Sequence, residues 1–223
     1  MSFQSKTGVR FCDLDCLILE RNCDKKLGMS DIELIGIILS GDKNKYAILI
    51  EKYQPMVFRV CRGFVYYKED ADDLMQEVFI KVFRALDTFN QQSAFSTWLY
   101  RITLNTCLNY KRKTERNQFF LRFNKLGIRD LKKSETLMSD SIQQADQQLI
   151  DNQHATQIKQ AIHKLPEKQQ AAFVLSKYED MPQQEIAQVM NISVGAVEQL
   201  LFRAREKLRI QLAEYYKQNF QQA

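Results

Sequence analysis

Between Asp73 and Leu86 apolar and polar positions recur with the period of a helix. At about 100° per residue, Leu74, Met75, Val78, Phe79, Val82, Phe83, Ala85 and Leu86 share one half of the wheel, and Asp73, Gln76, Glu77, Lys81 and Arg84 share the other. An apolar face that wide predicts a helix packed in a core. Ile80 breaks the pattern from the middle of the polar half. A single exposed Ile is usually inconsequential. One framed by Asp73, Gln76 and Glu77 also has the make-up of a docking patch with a polar rim, and the wheel leaves both readings open. A polar loop, Asp87–Ser93, leads to a second predicted helix that starts near Ser96, a residue suited to N-capping, and runs to about Lys113. Trp98, Arg101, Asn105, Asn109 and Arg112 fall on one face of it. Bases stack on aromatics, amides read base edges and cations neutralise phosphate. The competing reading makes Trp98 a core residue and the remainder a solvated face.

The same periodicity predicts helices on either side. Asp31–Leu39 is a short helix with Ser30 as N-cap and Glu33 closing a capping box, stopped at Gly41. Tyr46 to about Tyr67 is the next, burying Ile48, Leu49, Tyr53, Val57, Val60 and Phe64, with a kink expected at Pro55. These helices predict a bundle over Asp31–Lys113. Near the other end one helix begins at Leu165-Pro166-Glu167, another spans Pro182–Met190 and a last runs from Val194 to about Leu212. Asn191-Ile192-Ser193 is the turn between the last two, with an Asn that tolerates left-handed backbone and a Ser that can cap. On the last helix Val194, Val197, Leu201, Ala204 and Leu208 face inward, opposite Gly195, Gln199, Phe202 and Arg203. This is a helix-turn-helix pattern whose outer face suits a major groove. An ordinary amphipathic helix with a solvated charged face has the same periodicity.

Composition narrows the picture. With seven Gly and three Pro in 223 residues, an all-helical chain is expected. The net charge of +5 is modest but uneven: Lys111–Lys133 holds nine Lys/Arg against two Asp/Glu, and Ser134–Gln153 holds four acids and no Lys or Arg. A basic stripe beside a helical module fits nucleic acid or simple solubility. No apolar run approaches the roughly 20 residues needed to span a bilayer, no signal peptide is evident, and a reduced cytoplasmic protein is expected. Of the five Cys, Cys61 and Cys107 sit in apolar helical contexts as small core residues, while Cys12, Cys16 and Cys23 lack the spacing of a zinc site. An enzyme such as a nuclease is not expected. The two His, His154 and His163, have no carboxylate partner in a metal motif, no Gly-rich loop cradles phosphate, and Asp70, Asp72, Asp73 and Glu77 are ordinary acids at a helix start. Neither a metal nor a cofactor is expected.

Two blocks resemble a known family. DxxQEVF, starting at Asp73, followed by FSTWLYRIxxN, Phe95 to Asn105, is similar to region 2 of the extracytoplasmic-function (group 4) sigma factors of bacterial RNA polymerase. Leu165–Arg209 is similar to region 4 of the same family, in the family order. The resemblance covers about 30–112 and 156–212 and implies two small helical domains joined by a flexible linker: region 2 over 29–113, a linker over 114–155, region 4 over 156–215, then a tail, 216–223. Residues 1–28 carry no resemblance and are expected to be an extension or the product of an upstream start. The resemblance implies a promoter-specificity subunit. Asp73, Gln76, Glu77, Phe79 and Ile80 mark the helix that docks on the clamp coiled-coil of the largest polymerase subunit, with Phe79 supporting rather than touching. Phe89, Asn90, Ser93, Phe95, Trp98, Arg101, Asn105, Lys111 and Arg112 bind the melting −10 element, with the loop Asp87–Ala94 capturing a flipped base. Ser193, Val194, Gly195, Ala196, Gln199, Phe202, Arg203, Arg205 and Lys207 bind the −35 duplex. The partners it implies are core polymerase, including the flap of its beta subunit, promoter DNA and an anti-sigma factor, with no membrane insertion.

The implied promoter elements lie about two turns apart, ~70 Å at 34–36 Å per turn. The roughly 40-residue linker, partly helical over Arg116–Ile128 and otherwise disordered in this reading, spans about 35 Å as a free coil and over ~100 Å when stretched, so a large partner must hold it extended. Pro182 stands where the family often has a Ser or Thr cap, and Glu198, Gln199 and Leu200 replace frequent basic and small residues. These departures leave the promoter sequence open. A stand-alone helix-turn-helix regulator is the alternative, and it leaves Asp70–Lys113 without a role.

Overall fold

The computed structural model describes residues 29–125 and 146–220, with side chains over 29–117 and, apart from 214 and 216, over 154–217. The N-terminal segment with Cys12, Cys16 and Cys23 and the middle of the expected linker lie outside the described residues, as does the end of the tail. Every regular element among the described residues is helical. They are α1 (Asp31–Leu39), α2 (Tyr46–Arg62), α3 (Lys68–Ala85), α4 (Phe95–Lys125), α5 (Asp146–His163), α6 (Glu167–Tyr178), α7 (Gln183–Met190) and α8 (Val194–Phe220), with 3-10 turns at Lys43–Lys45 and Leu86–Thr88.

Local chemistry sets the boundaries. Ser30 Oγ accepts from Glu33 N–H while the Glu33 carboxylate accepts from Ser30 N–H at 2.8 Å, the expected capping box. The Glu33 carboxyl titrates below its usual range, chiefly because of that backbone hydrogen bond. The second helix ends at Arg62 rather than near Tyr67, because Gly63 N–H bonds back to the Arg59 and Val60 carbonyls at 3.3 and 3.0 Å and tightens the last turn. The fourth starts at Phe95, one residue before Ser96, so Ser96 lies inside the helix and is not its cap: Trp98 N–H bonds to Ala94 O at 3.2 Å, and Phe95 is buried against Phe89, Trp98 and Tyr53. It also continues to Lys125, beyond the expected end at Lys113, and α5 begins at Asp146, so both ends of the expected linker are helical.

The first module is a bundle in which α2, α3 and α4 pack on one another and α1 closes one side. Its core contains Leu49, Val57, Val60, Leu74, Val78, Val82, Leu99 and Cys107. Cys61 and Cys107 are both buried, with sulfurs 3.9 Å apart, in keeping with small core residues. Burial is the main reason the Cys107 thiol sits well above its usual range. In the second module α6 and α7 pack on α8. Asn191 adopts φ 53°, ψ 50°, the left-handed turn its side chain tolerates, and Ser193 Oγ accepts from Ala196 N–H at 3.2 Å. Val197, Leu201, Ala204 and Leu208 face inward as expected, but Val194 is 43% exposed. On a helix the Cα–Cβ bond leans toward the N-terminus, so this first residue projects past the helix end.

The two modules do not stand apart. One apolar cluster runs from the first bundle through Val174, Leu175, Ile186 and Val189 of the second. Gly63 makes the approach possible: a Cβ there would lie 2.6 and 2.7 Å from the Val174 methyls.

Candidate nucleic-acid interface

Three surfaces carry the residues singled out above. On α3, Asp73, Gln76 and Glu77 are exposed, and Ile80 is 52% exposed among them, while Phe79 is 7% exposed and belongs to the core. Phe83, placed on the apolar half of the wheel, is 39% exposed and stacks edge-on against Tyr46, whose hydroxyl donates to Phe79 O at 2.7 Å. Burial raises that phenol's pKa, so it remains a donor. The result is a polar-rimmed apolar patch on a helix anchored from beneath.

The second surface is the loop after α3 and the face of α4. Phe89 packs against Phe95 and Trp98, with centroids 5.5 and 5.4 Å apart, so Trp98 is half-buried in an aromatic cluster rather than freely presented. Asn90 Oδ1 accepts from Gln92 N–H at 3.3 Å, and Gln91 takes φ 59°, an Asx turn that shapes the loop. Asn90 and Asn105 are exposed, Ser93 is half-buried and Phe95 is buried. Three cations of α4 are engaged by the second module. Arg101 Nη2 donates to Gln188 O at 2.9 Å, and Arg112 holds Glu167 through Nε at 2.9 Å and Nη2 at 2.6 Å. That pairing, first through the hydrogen bonds, sets the Glu167 carboxyl below its usual range. Lys111 is buried, its ammonium donating to His163 O, Leu165 O and Gln170 Oε1. Desolvation lowers its pKa, against the nearby charges of Glu115 and Glu167. In this arrangement Lys111 and Phe95 cannot touch nucleic acid.

The third surface is the outer face of α8. Ser193, Gly195, Gln199, Phe202, Arg203, Arg205 and Lys207 are exposed and Ala196 is half-buried. Phe202 is 65% exposed, an aromatic standing free between cations. Glu198 is exposed beside them. The structure thus leaves the helix-turn-helix face open while Arg101, Lys111 and Arg112 of α4 are engaged by the second module.

The residues that join the second module to α2 and α4 follow no sequence pattern. Glu179, in the loop after α6, receives Arg59 Nε at 2.8 Å, Arg59 Nη2 at 2.9 Å and the Tyr100 hydroxyl at 2.8 Å. Gln170 is fully buried and donates to Gly63 O at 2.8 Å. His163 stacks on Tyr66 with centroids 3.9 Å apart, and its pKa is pushed down to about 4, mainly by burial. These contacts join residues far apart in the chain, and no local period marks them. Among the described residues, no cluster of His, Cys, Asp and Glu is arranged to hold a metal ion.

Comparison with known proteins places both modules. Family models described as Sigma-70 region 2 and Sigma-70, region 4 match residues 49–117 and 155–208. The chain is 34% identical over 189 residues to the RNA polymerase sigma-H factor of Pseudomonas aeruginosa, covering 80% of this chain and 91% of that protein. It is 31% identical over 180 residues to the ECF RNA polymerase sigma-E factor of Escherichia coli K12, covering 81% and 93%. The fold is similar to that of CnrH, solved in complex with the cytosolic domain of CnrY, with a TM-score of 0.56, 25% identity, and coverage of 82% of this chain and 97% of that one. The chain belongs to the extracytoplasmic-function sigma factors of the sigma-70 family.

Proposed function

We propose that this chain is a dissociable promoter-specificity subunit: it joins core RNA polymerase and directs initiation at promoters with −35 and −10 elements, acting in the cytoplasm and without catalytic chemistry of its own. The observation that carries this reading is the presence of regions 2 and 4, in order, on one chain. Region 2 spans 29–113 and region 4 spans 156–215, and the connecting 114–155 must stretch when both elements are engaged. The patch on α3 meets the clamp coiled-coil of the largest subunit through Asp73, Gln76, Glu77 and Ile80, with Phe79 holding the helix from behind. Phe89, Asn90, Ser93, Trp98, Arg101, Asn105, Lys111 and Arg112 take the −10 strand, with Phe95 beneath them. Ser193 to Ala196, Gln199, Phe202, Arg203, Arg205 and Lys207 take the −35 duplex, where Arg203 suits guanine and Arg205 and Lys207 suit phosphate. Region 4 also meets the flap of the beta subunit. An anti-sigma factor is the expected regulator, supported by the similarity to CnrH, which was solved with a protein partner.

Transcription from a genomic promoter library, with core polymerase alone and with this protein added, tests the reading. New transcripts that share upstream −35 and −10 sequences are expected. No stimulation by a folded protein and an active core, together with tight duplex binding by the protein alone, would overturn it in favour of a stand-alone regulator.

A further inference from the structure

We propose that Glu198 sets the base read at one position of the −35 element: its carboxylate accepts the N4 amino group of a cytosine, so a C·G pair of fixed orientation is required there. This rests on the promoter-specificity reading for the duplex that α8 binds, and on α8 itself for the residue.

An exposed Glu on a helix ordinarily has one of two local roles, and Glu198 has neither. Acids complement the macrodipole in the first turn, an effect that fades beyond it. Glu198 is the fifth residue of α8, past a first turn that holds no acid. Acids also pair with a cation three or four residues away. Around Glu198 those positions are Val194, Gly195, Leu201 and Phe202, none of them a cation. Its side chain makes no ion pair or hydrogen bond among the described residues. Glu206, further along the same helix, shows the contrast: it has Arg209 three residues on and pairs with it at 3.0 Å.

The surroundings of Glu198 suit close approach by a base edge. It lies in the first two turns of α8, the part of such a helix that reaches furthest into a major groove. Val194, 43% exposed, and Phe202, 65% exposed, flank it, and at Gly195 a Cβ would meet nothing within 4 Å. In a groove the carboxylate therefore loses water among apolar neighbours and beside phosphates of its own sign, which is costly unless a donor meets it. The base edges there offer two donors, N4 of cytosine and N6 of adenine. Adenine sets its N7 acceptor beside N6, so cytosine is the better match. Guanine presents O6 and N7 and thymine presents O4, all acceptors, and Glu198 rejects both. The residue thus discriminates by repulsion as well as by its one hydrogen bond.

The test uses the full chain with core polymerase on one promoter that the wild type transcribes, its −35 segment randomised and the productive templates sequenced. Wild type should enrich cytosine at one position by at least about fivefold, the low end of what a matched base contact discriminates. Glu198→Ala should lose the preference at that position and keep the rest of the −35 pattern. Glu198→Gln, whose amide can pair with adenine N6 and N7 together, should move the preference there from cytosine to adenine. Glu198 is exposed, so both variants should fold as the wild type does. The same −35 pattern in all three proteins would overturn the proposal. So would variants that raise transcription from every template by one factor, the mark of relieved charge repulsion without base reading. If the wild type transcribes nothing, the promoter-specificity reading fails, and selection of random-sequence duplex by the full chain alone decides the role of Glu198. A cytosine selected by the wild type and lost in Glu198→Ala would support it there; an unchanged pattern, or none, would overturn it.

Discussion

Arg59 of α2 and Glu179 beyond α6 form a two-pronged ion pair across the modules, with Nε and Nη2 at 2.8 and 2.9 Å from the two carboxylate oxygens. The Glu179 side chain is 3% exposed and that of Arg59 29%. Tyr100 completes the carboxylate's shell, and its phenol pKa is raised, first by burial and then by the Glu179 charge, so it stays a donor. Removing one side of a fully buried pair costs about 3–5 kcal/mol. Here Arg59 reaches water, and the expected cost of Glu179→Ala is about 1–3 kcal/mol. Urea unfolding followed by circular dichroism checks it; an unchanged midpoint would show that the pair contributes nothing to the packing of the two modules.

Gly63 and Val174 should be coupled. An alanine Cβ at 63 would sit 2.6 Å from one Val174 methyl and 2.7 Å from the other, so side chain or backbone must move. Gly63→Ala should destabilise by about 1–3 kcal/mol, as overpacking does. Val174→Ala removes the clashing methyls, and the double variant should be more stable than the sum of the single changes predicts by about 1 kcal/mol or more. Additive losses in a double-mutant cycle would place the strain elsewhere.

Much of the fold was legible because its signals are local. The Ser30–Glu33 box, the Asn191 turn and the exposure of Ile80 each follow from a few neighbouring residues. The start of α4 near Ser96 is legible, but its capping is not, because Phe95 enters the helix through burial against Tyr53 and Phe89 from other segments. Lys111 shows the larger limit. In the run Lys111-Arg112-Lys113 it reads as one of three equivalent cations, yet only it is buried, a helical step of about 100° from an exposed Arg112. Glu179 lies 120 residues from Arg59, and no pattern in either segment announces the other.

Phe79 and Ile80 are neighbours with opposite expected phenotypes. Phe79 is buried beneath α3, and Phe79→Ala should cost about 3–5 kcal/mol of stability. Ile80 is 52% exposed, and Ile80→Ala should change stability by no more than about 0.5 kcal/mol. In the proposed function Ile80→Ala nonetheless weakens association with core polymerase, measured by fluorescence titration of the labelled core. Full affinity in a folded Ile80→Ala protein would remove the α3 patch from the docking surface.

His163 makes the folded chain sensitive to acid. Its pKa is pushed down to about 4, first by burial against Tyr66, with Lys111 and Arg62 acting in the same direction and a hydrogen bond involving the Val65 backbone acting against them. Released to water, an imidazole titrates near 6.5. Between those values the unfolded chain therefore holds more protons than the folded one. The His163 contribution to stability is fully present above about pH 6.5 and is lost progressively as pH falls toward about 4. The Glu33 and Glu167 carboxyls are shifted downward, so their contributions fade at lower pH than the upper part of this window. The expected result is that the urea midpoint of the wild type drops between about pH 7 and about pH 5, and that His163→Gln, which keeps a flat polar side chain but cannot take the proton, drops less over the same interval. Parallel curves for the two proteins would mean that His163 is charged in the folded chain as well, and that its stack on Tyr66 tolerates the imidazolium.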